Sequence, residues 1–238
     1  MGSRTLTGLL LIVGPIVLGA AVITQKNLLI APGVLMFAIG LILLLIIFKM
    51  SIDKIILLRD KSRDELADAL NSVGVKAEMA ERGRAEEKVE DSWYQRSLGV
   101  IDILEGSIRW INILKKDGSN NSPPRWWVVL GIPDERPVST RQQTKIKTVR
   151  KKTFPLFGKV VDVIWKGYDG GTGLVNTLSK DVPTKTLAKR IGNLEVKSQA
   201  NGFQGWTLTV DRRFSPTSQD WETVEKIAGY ILSSPRSL

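Results

Sequence analysis

Two uncharged apolar runs near the start of the chain constrain it most. Leu6 to Ile23 is 18 residues long and Leu28 to Phe48 is 21, with only Thr24, Gln25, Lys26 and Asn27 between them. At about 1.5 Å rise per residue, a helix made of either run reaches the roughly 30 Å depth of a bilayer's hydrocarbon core. Neither run has a polar face of the kind a helix on a soluble core would carry. The expectation is a two-span α-helical transmembrane hairpin, with the lipid bilayer as an integral partner. Gly14, Pro15, Gly19, Gly33 and Gly40 allow bending or close approach. A rival reading makes the first run a signal peptide, since Arg4 precedes it and Leu18-Gly19-Ala20-Ala21 offers small residues. That run is longer than the about 7–15 apolar residues of a signal, and a second follows at once.

The flanking charges orient the hairpin. Lys49, Lys54, Arg59, Lys61 and Arg63 follow the second run, whereas the connection offers only Lys26. The positive-inside rule therefore puts both termini and the rest of the chain in the cytoplasm, on the inner face of the cell membrane.

Three regions are expected: an anchor at 1–50, a juxtamembrane helix and charged linker at 51–91, and an α+β domain with a mixed or antiparallel sheet at 92–238. Ser62-Arg63-Asp64-Glu65 has the spacing of a capping box, with Leu66, Ala69, Leu70 and Val73 following at helical intervals. Lys76 to Asp91 is dense in charge and reads as a solvated helix or tether. From Ser92 to Lys116, polar residues at Asp102, Glu105, Arg109, Asn112 and Lys116 recur every three or four positions. That period predicts a long helix burying Ile101, Leu104, Ile108 and Ile111, with a Glu105–Arg109 pair on its exposed side. Trp126 to Leu130 and Lys159 to Trp165 read as strands. Leu194, Val196 and Ser198, then Trp206, Leu208 and Val210, alternate about the turn Ala200 to Gly205 as a hairpin. Short helices are expected at Leu174 to Ser179 and Thr184 to Ile191, and a final one begins at Ser215-Pro216, with Trp221, Val224, Ile227, Ala228 and Ile231 on one side.

Composition removes several chemistries. The chain contains no His and no Cys, so imidazole acid–base steps, Ser-His-Asp and Cys-His nucleophiles, thiolate metal sites and disulfides are excluded. No spacing of carboxylates singles out a catalytic or metal-binding pair, and no cofactor motif is complete. Asp162, inside an apolar run, is either a buried carboxyl of raised pKa or a solvent-facing one.

The net charge of +10 is concentrated. Between Arg141 and Lys166 stand eight basic residues and the single acid Asp162. Lys145, Lys147, Arg150, Lys151 and Lys152 are the candidate anionic-surface contacts, drawing anionic lipid headgroups or an acidic partner, such as another membrane subunit. Nucleic-acid phosphates, with Trp126, Trp127, Phe154 and Phe157 for base stacking, are the weaker alternative. A second candidate is the loop Gly167 to Gly173, where the backbone N–H groups of Gly170, Gly171, Thr172 and Gly173 could cradle a phosphate before a helix. It lacks the Gly-Lys-Ser/Thr ending of a P-loop. The residues thus point to a membrane-anchored binding protein rather than an enzyme, with a nucleotide- or phosphate-binding enzyme built on the Gly-rich loop as the alternative.

Overall fold

The computed structural model describes residues 27–90, 92, 95–136, 143–153 and 158–235. The chain divides into two compact units, Met1–Leu58 and Arg59–Leu238. In the first, the second apolar run is helical as expected. It belongs to helix α1 (Asn27–Ser72), whose apolar part, with Leu35, Ile42 and Phe48 exposed, is long and apolar enough to cross a membrane, a property it shares with signal sequences. The expected first span, Leu6 to Ile23, lies outside the described residues. Ser62 does not start a new helix. The Ser62-to-Glu65 spacing falls inside α1, where Arg63, Leu66, Ala67 and Leu70 form a buried stripe at helical intervals. The helix ends at Gly74, in the left-handed region (φ 86°), with Val75 N–H donating to the Leu70 carbonyl and Gly74 N–H to that of Asn71.

Among the described residues, the second unit contributes eight strands: β1 (Ala77–Met79), β2 (Arg96–Ile103), β3 (Trp110–Lys116), β4 (Arg125–Pro133), β5 (Lys145–Lys152), β6 (Val160–Tyr168), β7 (Leu194–Ser198) and β8 (Gly205–Val210). They form one antiparallel sheet in the order β1-β2-β3-β4-β8-β7-β5-β6. Helices α2 (Leu174–Lys180), α3 (Val182–Ile191) and α4 (Ser218–Ser233) complete an α+β domain.

Two expectations are corrected here. The segment Ser92 to Lys116 is not a helix but the hairpin β2–β3, turning at Glu105-Gly106-Ser107. Ile101, Ile108 and Ile111 are buried as expected, yet Leu104 is exposed and Asn112 is fully buried. Glu105 pairs with Lys76 at 2.6 Å rather than with Arg109, which donates to the Leu104 carbonyl. The period misleads because both faces of these strands are covered, which erases the alternation that marks a half-buried strand. The second correction concerns Lys76 to Glu90. It supplies β1, whose Ala77 and Met79 pair with Ile103 and Ile101, then a 3-10 turn at Ala85–Lys88. Its small apolar residues are what the sheet needs at this place: Ala80 and Val89 are buried.

Register explains the two cores. Directly paired residues share a face, so Ile101, Ile111, Leu130, Leu208, Val196 and Ile146 form one row across six strands. Together with Leu66, Leu70, Leu178, Leu187, Val224 and Ile227, this row makes the main core. The opposite face carries the row Val100, Asn112, Val129, Thr209, Glu195, Lys147 and Lys166. Its first half is covered by Ala80, Val89, Ala200 and Phe203 in a smaller core. Beyond β8 the row turns polar, and that half of the face is open.

Capping fixes the helices on the main core. The last helix starts at Thr217, two residues later than Ser215, with the Thr217 and Asp220 side chains each accepting from the other's backbone N–H. Asp181 caps α3, accepting from Thr184 N–H at 3.0 Å, and ties it to α4 through Lys226 (2.6 Å) and Tyr230 (3.1 Å). Burial pushes this carboxyl up, but the hydrogen bonds from Lys226, Thr184 and Tyr230 outweigh it and hold the pKa at about 2. A depressed pKa stabilises the fold above the unfolded value near 3.8. The contribution, about 2 kcal/mol, is lost as pH falls through about 2. Comparing the unfolding of wild type and Asp181→Asn should therefore show a gap that is constant from neutral pH to about 4 and closes below it. A pH-independent gap would assign the effect of the variant to packing alone.

Candidate functional site

The open half of the second face is a cleft of 910 Å³. Its floor is built by pairing β5 on β7 and β7 on β8, which sets Lys145 against Lys197 and Lys147 against Glu195, with Thr209 beyond. Glu90, Ser92, Gln95 and Trp127 stand on one side, Asn193, Asp211 and Arg212 at one end. The ladder between β5 and β7 lasts three pairs. Where it stops, the Thr148 side chain replaces it: its hydroxyl accepts from Leu194 N–H at 2.8 Å and donates to the Leu194 carbonyl at 3.3 Å. That splay opens the end of the cleft.

The charges are unevenly answered. Lys197 is held by Glu90 at 2.6 Å and Glu195 at 2.9 Å, and although burial lowers its pKa, these hydrogen bonds prevail and raise it. Glu90 reaches this position with φ at 60°, a left-handed conformation uncommon outside glycine. Lys145 lies 3.9 Å from Glu195. Lys147, Lys152 and Arg212 have no ion pair among the described residues. Lys147 also sits directly opposite Lys166 across β5–β6, and Lys145 opposite Lys197. Like charges facing each other across strands destabilise a sheet.

Four of the five basic residues singled out in the sequence, Lys145, Lys147, Arg150 and Lys152, line the cleft, and Lys151 does not. Lys145 and Lys147 project from the open face, and Lys152 lines the cleft at its far end. Lys151 is turned to Asp162 at 3.8 Å on the outer hairpin. Arg150, half-buried, donates to the Lys189 carbonyl; burial and then Arg212 lower its pKa while Asp211 opposes them. Asp162 is not a carboxyl of raised pKa. The Val163 backbone N–H, with Lys185 and Lys151 nearby, holds it below the usual range against a weak burial effect. Arg141, Phe154 and Phe157 lie outside the described residues.

The Gly-rich loop presents a different picture. Asp169 turns its carboxylate back on the loop and accepts from Gly171 N–H at 3.1 Å and Val175 N–H at 3.1 Å. Thr172 N–H and hydroxyl both donate to the Asp169 carbonyl, and Leu174 N–H donates to the Thr172 hydroxyl. Gly170 and Gly173 supply the positive φ values of 68° and 75° that the turn needs. The loop caps α2 with its own anion.

Lys197, Glu90 and Arg212 are cleft residues that the sequence reading did not assign. Lys197 and Glu195 alternate with buried Leu194 and Val196, so their projection from one face was readable. That β5 would lie beside β7, bringing Lys145 and Lys147 to them, was not. Among the described residues, no cluster of three or more acidic side chains is placed to hold a metal ion. Comparison with protein-family models, with curated proteins and with solved structures finds no match.

Proposed function

We propose that the chain is a membrane-anchored binding protein, not an enzyme, whose α+β domain holds an acidic partner segment in the basic cleft of its open sheet face. The carrying observation is the row of lysines on the cleft floor, Lys145 and Lys147, each facing another lysine across a strand pair at a cost to the fold. Such a cost is offset when an anion bridges the cations. A recessed site favours a protruding carboxylate-rich segment over a flat leaflet. The wall supplies Gln95 for hydrogen bonds beside the charge contacts. A two-span hairpin with both termini in the cytoplasm is the anchor this reading takes, supported by the length of both apolar runs and by the basic residues after the second. The partner is then a neighbouring subunit of a membrane complex.

The test uses the full chain in nanodiscs of zwitterionic lipid and a fluorescent poly-glutamate peptide. Binding read by anisotropy should weaken steeply with salt. It should fall at least tenfold in the variant Lys145→Gln, Lys147→Gln, Lys152→Gln, which leaves Lys197 and its Glu90 pair intact. Equal binding by both proteins rejects the cleft. Loss of peptide binding only when the discs contain anionic lipid would show that headgroups occupy the same residues, and would replace the acidic segment by the leaflet.

A further inference from the structure

A second site lies just past the C-terminal end of β8, on the main-core side. An apolar cavity of 290 Å³ opens beside α1, lined by Leu66, Ile113, Trp126, Val128 and Phe214. Ser62 also lines it, 4 % exposed, and its hydroxyl finds no hydrogen-bond partner. A buried hydroxyl left without a partner costs stability unless something else in the cavity meets it. At the rim the Arg213 guanidinium stacks 5.2 Å from the centre of the Trp126 ring and forms an ion pair with Glu65, and Lys115 Nζ lies 5.3 Å from the centre of the same ring. Trp126 and Arg213 also line a second, polar cavity of 360 Å³, where Arg125 and Arg212 stand against the single acid Asp211. That acid is already engaged by Asn193 through its N–H and its side-chain amide.

An apolar hole that shares its rim with a basic trough is the shape of a site for a molecule with an apolar tail and an anionic head. We propose that the two cavities form one site for a single-chain anionic amphiphile. An alkyl or acyl chain fills the space between Leu66, Ile113, Val128 and Phe214. A carboxylate or phosphate head lies among Arg125, Arg212 and Arg213. The arginine fork suits either head through paired N–H donors. Taking about 30 Å³ for a group the size of a water molecule, the cavity admits a chain of roughly ten carbons. The Ser62 hydroxyl meets a polar substituent on that chain, so a hydroxylated chain is held better than a plain one. The apolar cavity shares no lining residue with the basic cleft, and the trough shares Trp127, Asp211 and Arg212 with it.

The experiment places the full chain in nanodiscs of zwitterionic lipid and labels it with a photoactivatable decanoic acid, mapping the adducts by mass spectrometry. Saturable labelling is expected on the peptides carrying Leu66, Trp126 and Phe214, displaced by unlabelled decanoic acid or decyl phosphate and not by decanol. Which of the two anions displaces better distinguishes a fatty-acid from a phospholipid-like ligand. Arg213→Gln should reduce the labelling at least fivefold, with partial recovery in Arg213→Lys, and Ser62→Ala should remove the preference for a hydroxylated competitor. Displacement by decanol as effective as by decanoic acid, or adducts confined to Leu28–Phe48, would overturn the proposal.

Discussion

Replacing Gly131 by alanine should destabilise the domain by about 3 kcal/mol or more, the upper end of what overpacking costs. A Cβ at this position would stand 1.9 Å from Trp110 Cε2 and 2.3 Å from Cζ2, far inside contact distance. Neither side can yield. Strand β4 is paired with β3 on one edge and β8 on the other across this residue. The Trp110 ring is 3 % exposed and held edge-on by Phe203 at 5.0 Å. Chemical unfolding of the full chain measures the loss. Pairing the change with Trp110→Leu should recover part of it, giving a coupling above about 1 kcal/mol. A loss below about 1 kcal/mol, with no coupling, would mean that the indole does not lie over Gly131.

The second large effect is expected at Asn112, fully buried in the middle of β3. Its amide N–H groups donate to the carbonyls of Glu86 (3.0 Å) and Glu87 (3.2 Å), and its oxygen accepts the Ser97 hydroxyl at 2.6 Å. Asn112→Ala removes all three bonds, at about 1–3 kcal/mol for each group left buried without a partner, although the Glu86 carbonyl keeps Val89 N–H and the Ser97 hydroxyl still accepts from Gly99 N–H. Part of this is relieved if the 3-10 turn lifts away and lets water in, so a total of roughly 2–4 kcal/mol follows. Hydrogen exchange locates the damage. The amides of Ala80 and Val89, bonded to Val100 and Glu86 carbonyls, should lose protection, while those of β7 and β8 keep theirs. Uniform loss across the sheet would show that Asn112 serves the whole fold rather than this cover.

That same side chain marks the limit of what the sequence discloses. The β7–β8 hairpin was legible: Leu194, Val196 and Ser198 on β7 and Trp206, Leu208 and Val210 on β8 are where alternation puts them, although Thr207 on the other face of β8 is buried as well. The two short helices and the amphipathic last one were legible as well, because each buries a single stripe. The β2–β3 hairpin was not, since Val100 and Ile101 are both fully buried, on opposite faces, and the polar Asn112 that suggested a solvent side faces inward. What covers Asn112 comes from Lys76 to Glu90, a stretch whose charges point to solvation. Only its small buried Ala80 and Val89, set among Arg59–Glu87 and Arg84–Asp102 pairs, make it a cover. For the site, the charge density of Lys145 to Lys152 was read but the strand β5 was not, although Ile146 and Thr148 alternate there with Lys145 and Lys147. The neighbour of β5 is set by long-range pairing that no local pattern encodes.

The placement of β8 and β7 between β4 and β5 also sets the order in which the chain can become a sheet. During synthesis the meander β1–β4 emerges first and can pair locally, but the outer edge of β4, with Val128, Val129, Leu130 and Ile132, waits for β8. The hairpin β5–β6 follows and has no place to dock until β7 appears. At about 5–20 residues per second, that edge is open for several seconds after it leaves the ribosome. Truncation before Gly205 therefore leaves two separate sheet fragments, each with a bare apolar edge open to pairing with another chain. The last strand made is the one that closes the gap.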